Sequence, residues 1–337
     1  MAYYPSERGS YNYTTNLNPD GSLKTPQGNW GGITRAITNN IDFDAANIQY
    51  IEFWMLSPYA TTVANQQNYL IEPGVPFNPS NTGQLYFNLG SISEDVLPDN
   101  LQSFENGLPV SGNSTLISTT TTNSTWGRIS NQQFLTNAFD NTTPGSRAFQ
   151  DIGLDGLDDA DEQTFFHTYD SLIRISTSLT QAAKSNILSD ISGDNFSYYL
   201  GATQDAEELT VLQRYKNYNH VQNNSPINNG AAITPSSTSY PDNEDINADN
   251  TVNTVEAYYE YKVNIDPKKM TVGQNYIVSQ RPATVQLPNG TNTDVTWYQF
   301  RIPIRSPDST IGSIEGYKSI KWMRTYMSGF SSPVVLR

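Results

Sequence analysis

The sequence predicts a mainly β chain, an antiparallel jelly-roll-like sandwich with a helical, loop-rich insert. Three observations lead there. Aromatic residues make up 12% of the chain, with 21 Tyr, and rings and β-branched side chains fit best on a pleated, half-buried surface. Short runs near both ends alternate apolar and polar residues with period two. Between them the texture changes to helical spacing bounded by polar turn clusters.

Residues 1–110 read as the first part of the sandwich. IQYIEFWML (48–56) and GQLYFNLG (83–90) carry strand chemistry, with Leu85, Phe87 and Leu89 on one face and Gln84, Tyr86 and Asn88 on the other. Residues 58–82 hold NQQN, PGVP and NPSNTG and read as a loop. Two half-buried strands so joined suit a sandwich better than a hairpin. Residues 111–149 form a polar, flexible connection with a Ser/Thr tract at 111–125. Residues 150–243 form the helical insert and carry an acidic loop. Its helices are expected over 162–189 and in DAEELTVLQRYKNY (205–218), where acids stand in the first turn. Residues 244–337 open with a calcium-type loop and close the sandwich with VEAYYEYKVNI, VTWYQFRIPI, SIKWMRTYM and PVVLR. PVVLR runs as a strand up to Arg337, so the chain is expected to belong to a longer polypeptide.

Two acidic loops carry the candidate chemistry. In DINADNTVNTVE (245–256), positions one, three, five, seven, nine and twelve are Asp245, Asn247, Asp249, Thr251, Asn253 and Glu256. That is EF-hand calcium-loop spacing, which lets a curled loop present roughly six to eight oxygens to a hard cation. Position six is Asn250 instead of Gly, and Asn tolerates the left-handed backbone a sharp turn needs. The residues beyond it alternate, with Val255, Ala257, Tyr259, Tyr261, Val263 and Ile265 on one face. A strand therefore replaces the exiting helix, and an ion here would fix a loop instead of opening a helix pair. The competing reading is a solvated turn, because Asp and Asn favour loops in their own right.

DIGLDGLDDADE (151–162) repeats the theme, with Asp151, Asp155, Asp159 and Glu162 at positions one, five, nine and twelve. Gly156 stands at the turn, and Leu157 at position seven, where such loops offer a backbone carbonyl. Gly153 at position three supplies no side chain, and Asp158 replaces the usual apolar residue. So dense a set of carboxylates repels itself unless a counter-ion or solvent intervenes. Ca2+, in a structural role, is the expected cofactor of both loops.

Composition excludes other classes. The formal net charge is −14 and no run of Lys or Arg could track a phosphate backbone, so nucleic acid is not an expected partner. No apolar stretch approaches the roughly 18 residues of a membrane helix, and Met1 begins a polar segment, so neither a span nor a leader is visible, and whatever exports the protein is expected to lie outside these residues. Cysteine is absent, which removes disulfides and thiolate chemistry. His167 and His220 lack a metal-spaced partner and read as surface or loop residues. Glu94 and Asp95 would point to opposite faces of a strand and could not flank one glycosidic bond. No catalytic residue is expected, and the chain is not expected to be an enzyme. Glu7 and Arg8 read as a local salt bridge or turn contact. Trp54, Trp297 and Trp322 lie in alternating strands and are expected in the core, although exposed rings could stack on sugars.

Longer words are more specific. YYPSERGSYNY (3–13), NWGGITR (29–35), IQYIEFWMLSP, GQLYFNLGSISEDVLPD (83–99), SFENGLP (103–109), DIGLDGLDDADE, LQRYKNYN, EAYYEYK, VGQNYI and KSIKWMRTYMSGFSSPVVLR are spread over nearly the whole chain. They resemble the SprA/Sov family, the outer-membrane translocon of the Bacteroidota type IX secretion system and gliding machinery. The resemblance implies a piece of a very large single-chain β-barrel that exports folded proteins. Strands this short and acidic do not suit a barrel wall, so the chain would be a soluble, non-spanning domain inserted between barrel strands. It implies a cap or gate on the cell-surface side, with the periplasmic side as the alternative. Implied partners are the remainder of the barrel, other type IX secretion components and exported cargo. What carries over is structural: the 3–9 signature and the two acidic loops. The alternative function is a calcium-stabilised carbohydrate-binding or adhesive sandwich on the cell surface.

Overall fold

The computed structural model describes residues 1–59, 78–105, 120–132, 136, 138–140, 145–225, 238, 240–286, 290 and 292–337. Most of the expected 58–82 loop and of the Ser/Thr tract lies outside them. The described strands are β1 (Ala2–Tyr3), β2 (Trp30–Ala36), β3 (Tyr50–Leu56), β4 (Gly83–Ser91), β5 (Thr121–Asn123), β6 (Arg128–Ser130), β7 (Ala257–Ile265), β8 (Ile277–Gln286), β9 (Asn292–Pro303), β10 (Ser309–Ile311), β11 (Trp322–Ser328) and β12 (Val334–Val335). Among the described residues five α-helices follow one another in the middle of the chain: α1 (Asp159–Phe165), α2 (His167–Ile175), α3 (Gln181–Ser189), α4 (Ala202–Ala206) and α5 (Val211–Tyr215). The fold is mainly β and antiparallel, with the helices gathered in an insert.

The chain divides into two compact units. A strand unit collects Met1–Glu7, Thr25–Ile92 and Val255–Arg337, and a helical unit collects Arg8–Lys24 and Ser93–Thr254. The sandwich boundaries expected at 110 and 244 thus fall at 92 and 255. Residues 8–24 join the helical unit because Leu17 and Leu23 are buried with Tyr169, Ile173, Leu179, Ile187 and Ile191.

In the strand unit one sheet runs β10-β7-β4-β11-β2 and another β3-β9-β8. Period-two alternation explains how they meet. Leu85, Phe87 and Leu89 of β4 and Tyr261, Val263 and Ile265 of β7 are buried on one face, in register Leu85 with Val263 and Phe87 with Tyr261. They share a core with Met55, Phe300 and Ile302 from the other sheet. The rings of Phe53 and Phe300 stack at 4.9 Å, and Phe53 meets Phe87 at 5.2 Å, which bridges the two sheets. Pro282 is accommodated because β8 is an edge strand and owes no donor to a neighbour on its open side. Two expectations are corrected here. Val255 is 54% exposed and precedes the strand, so the buried face of β7 begins later. Of the three tryptophans only Trp322 is fully buried; Trp297 is half-buried, and Trp54 is 43% exposed because its neighbours Phe53 and Met55 take the inward face of β3.

In the helical unit β5 and β6 pair as a small antiparallel hairpin inside the stretch expected to be a flexible connection. Asp158 caps α1 by accepting from the amides of Ala160 and Asp161, and Thr180 caps α3. The helix expected over 205–218 is split into α4 and α5, with Glu208 at φ 51° between them and a Thr210–Gln213 capping box starting α5. No helix among the described residues is long and apolar enough to cross a membrane.

Candidate cation site

Two chain segments of the helical unit converge on one acidic cluster. The first is the 151–162 loop with the start of α1, and the second is the 190–195 turn that follows α3. Gly156 turns the first loop at φ +67°, its amide donating to the Gly153 carbonyl at 2.9 Å. The amide of Arg128 in β6 donates to the Asp155 carbonyl at 2.7 Å and anchors it. A β-carbon at Gly153 would lie 2.2 Å from Asp194 Oδ2 and 2.7 Å from Asp155 Oδ1. Glycine there is what lets the two carboxylates close over the backbone. Asp159 and Glu162 sit three residues apart on α1, so they share a helix face. The second segment is pinned by Arg8, whose Nη2 donates to the Asp190 carbonyl at 2.9 Å and whose Nη1 donates to Ile191 at 2.5 Å. Arg8 makes the expected local contact, donating to the Asn12 carbonyl at 3.2 Å, and also reaches 182 positions along the sequence to Asp190.

Asp155, Glu162 and Asp194 are buried and each offers an oxygen within 4.8 Å of the others; Asp159, Glu162 and Asp190 form a second such group. Glu162 belongs to both. Ser192 Oγ donates to Asp155 Oδ2 at 2.6 Å, and the Ile191 and Ser192 amides donate to Glu162 Oε2 at 2.9 and 3.0 Å. The Tyr11 hydroxyl donates to Asp194 Oδ2 at 2.8 Å. Asp190 accepts from the amides of Gly193 and Asp194, and Asp159 from Asn195 Nδ2. Two buried oxygens, Glu162 Oε1 and Asp194 Oδ1, have no hydrogen-bond partner among the described residues. None of the three buried acids forms an ion pair among the described residues. Burial, then the charge of Glu162, pushes Asp155 well above the usual carboxylate range. Burial, then Asp155 and Glu162, does the same to Asp194, and burial raises Glu162 to about 7. Ionising these buried carboxylates is thus costly, and a divalent cation would offset that cost.

Of the residues expected in this loop, the structure brings together Asp155, Glu162 and, in the second group, Asp159. Asp151 is elsewhere: it accepts from the Asn224 amide at 3.1 Å and from Ser225, and pairs with Arg147 at 3.5 Å. The Leu157 carbonyl accepts from the Gly153 amide inside the loop. Asp190 and Asp194 were missed. The one signal for them is the short word DISGDN, whose Asp spacing is too brief to read as a loop by itself.

The residues of the other predicted loop make a different set of contacts. Asp245 accepts from the amides of Asp249 and Asn250 at 3.1 and 2.7 Å, Asn247 Oδ1 from Asp249 at 2.9 Å, and Asp249 Oδ1 from the Thr251 amide at 3.0 Å. Asn250 has the expected left-handed backbone, φ 64°. The ring is held from outside by Glu94, which accepts from Ile246 at 2.8 Å, Asn247 at 3.4 Å and Asn253 at 3.1 Å. Glu256, in the strand unit, is bonded by Arg324 at 3.1 and 3.3 Å. Among the described residues no converging acidic group contains Asp245, Asp249 or Glu256. The Asp245 and Asp249 carboxylates have turned onto nearby amides, the hydrogen bonding of a polar turn. Glu94 and Asp95 also part company, since Asp95 accepts from Asp99 and Asn100.

Residues 169–337 match the SprA N-terminal family, described as a motility related/secretion protein. The match takes in α2 to α5, the 190–195 turn and β7 to β12, and begins after the 151–162 loop. No curated protein matches the chain.

Proposed function

Because the chain belongs to the SprA N-terminal family of motility-related secretion proteins, we propose that it is a non-enzymatic domain of a type IX outer-membrane translocon, serving protein export and gliding motility as a cap or gate on the cell-surface side. The observation that carries this reading is the family match, which includes every strand that completes the two sheets after residue 256. The packing supports it. Two antiparallel sheets close over a shared aromatic core, while the outward positions of β7 carry Glu260, Lys262 and Asn264. A sheet with one face spent on a partner sheet and the other polar suits water on its outer side better than lipid. Its partners in this reading are the remainder of the barrel, other secretion components and exported cargo.

The absence of cysteine makes the test direct. In the full-length protein, with any cysteine outside these 337 residues replaced, a single thiol is introduced at Ile175, which is 72% exposed, and intact cells are treated with a membrane-impermeant maleimide. Labelling of intact cells supports the cell-surface cap; labelling only after the outer membrane is permeabilised moves the domain to the periplasmic side. Export of a reporter cargo that continues unchanged after the sandwich core is disrupted would sink the proposed role.

One observation favours the second reading, a carbohydrate-binding or adhesive sandwich. Trp30, 71% exposed, lines with Arg324 and Tyr326 a shallow cleft of about 230 Å³, and Tyr326 stacks on Tyr86 at 4.5 Å. Exposed rings beside a guanidinium suit the faces of sugars. Oligosaccharide titration followed by tryptophan fluorescence, in the parent chain and in Trp30→Ala, decides it.

A further inference from the structure

We infer that the helical unit holds one structural Ca2+ between the 151–162 loop and the 190–195 turn, with Asp155, Glu162 and Asp194 as its protein ligands and Asp190 and Asp159 beside them. The two halves are far apart in sequence, so neither is a complete loop of the EF-hand type. Together they supply what a hard cation requires, oxygen donors of high charge on a fixed frame.

Three independent features point to an ion and not merely to crowded acids. Glu162 Oε1 and Asp194 Oδ1 are buried with no hydrogen-bond partner among the described residues, although the other oxygen of each side chain is engaged. The engaged oxygens fix both carboxylates, leaving the second oxygens committed to nothing but the cluster. Gly153 then keeps clear a cradle that a β-carbon would fill, at 2.2 Å from Asp194. Finally the frame is built against relaxation: Ser192 and Tyr11 hold the acids, and Arg8 holds the 190–191 carbonyls. Like charges held this close would otherwise be expected to swing apart.

Coordination chemistry favours calcium over magnesium at a buried carboxylate cluster. Two ligands of one ion can stand apart by up to twice the ion–oxygen distance, about 4.6–5.2 Å for Ca2+ and about 4.0–4.2 Å for Mg2+. The ligand oxygens lie within 4.8 Å of one another, inside the reach of a single Ca2+. Mg2+ demands tighter octahedral geometry and keeps its waters, which a buried all-protein cage does not favour. The bound ion would tie the first turn of α1 to the turn after α3 and, through Tyr11 and Arg8, to residues 8–13.

The first experiment uses the whole purified chain, stripped with chelator and titrated with Tb3+ under tyrosine excitation. The Tyr11 hydroxyl is 2.8 Å from Asp194 Oδ2, close enough to sensitise an ion held there. Expected are saturable emission at one ion per chain, displacement by Ca2+ at concentrations at least about tenfold lower than Mg2+, and a thermal midpoint raised by Ca2+. Asp194→Asn and Glu162→Gln, each checked for folding by circular dichroism, should lose the emission and the calcium-dependent midpoint. Absence of both signals in the parent chain overturns the proposal, and that result is readable even if a variant fails to fold. Emission undiminished in both folded variants overturns the assignment of ligands. Equal displacement by Mg2+ overturns the choice of ion.

Discussion

Replacing Glu94 by Ala should release the 245–253 ring. Its carboxylate accepts from Ile246 and Asn253 at 2.8 and 3.1 Å and more weakly from Asn247 at 3.4 Å, while its own amide donates to the Asn253 carbonyl at 2.7 Å. Hydrogen bonds to a charged group contribute roughly 1.5–3 kcal/mol each, so two good ones give about 3–6 kcal/mol before costs. Burial opposes this and raises the Glu94 pKa above its ordinary value, a sign that the ionised form is held against a desolvation penalty. The net loss is therefore nearer 3 kcal/mol, or about a hundredfold in a local opening equilibrium. Hydrogen exchange is the assay, read at the amides of Ile246 and Asn253. In Glu94→Ala both should exchange about a hundredfold faster, and in Glu94→Gln by a smaller factor, since the shape survives and one acceptor is lost. Exchange within threefold of the parent would refute the account. So would a marked slowing by Ca2+ in the parent, because it would return this loop to the cation reading.

Further outcomes follow from the two units. Phe300→Ala empties a fully buried site and breaks the stack on Phe53, and should cost about 3–5 kcal/mol in urea denaturation. Trp322→Ala should cost a similar amount, whereas Trp54→Ser on the outer face should stay within about 0.5 kcal/mol; equal losses would contradict the assigned faces. Burial pushes Glu244 up to about 8 from 4.5. The folded chain then keeps a proton that the unfolded chain releases, so this contribution is full below 4.5 and is lost as pH rises through about 8. Denaturation midpoints at pH 5, 7 and 8.5 should fall in that order, and Glu244→Gln should flatten the trend.

The strand unit was largely legible because alternation is a local signal. GQLYFNLG and AYYEYKVNI announce their buried faces, and the structure keeps Leu85, Phe87 and Leu89 of one and Tyr261, Val263 and Ile265 of the other inside, although Asn88 of the polar face is buried as well. Strand order was not legible, since pairing partners are chosen by packing between distant segments. The acidic loops divide along the same line. Spacing found Asp155 and Glu162, but the partners Asp190 and Asp194 arrive through tertiary structure, and no periodicity links them to residue 155. Spacing also promoted 245–256, where Asp245, Asn247 and Asp249 accept from amides within a few residues and Glu256 from Arg324. A pattern of oxygens describes ligands and Asx turns equally well, and only the fate of the backbone amides separates them.

The sheet order has a consequence for how the protein comes into being. Among the described residues β2, β3 and β4 make no ladder with one another; β2 pairs with β11, β3 with β9, and β4 with β7 and β11. A nascent chain that emerges N-terminus first therefore carries three sticky, unmated strands until β7 appears at Ala257. The helical unit has all its residues by Thr254 and can fold before them. Closing the sandwich is a late, long-range event, the kind that runs slowly and leaves strand edges open to wrong pairing. The chain would depend on a chaperone through that interval, and its half-made form would be the species most prone to aggregate.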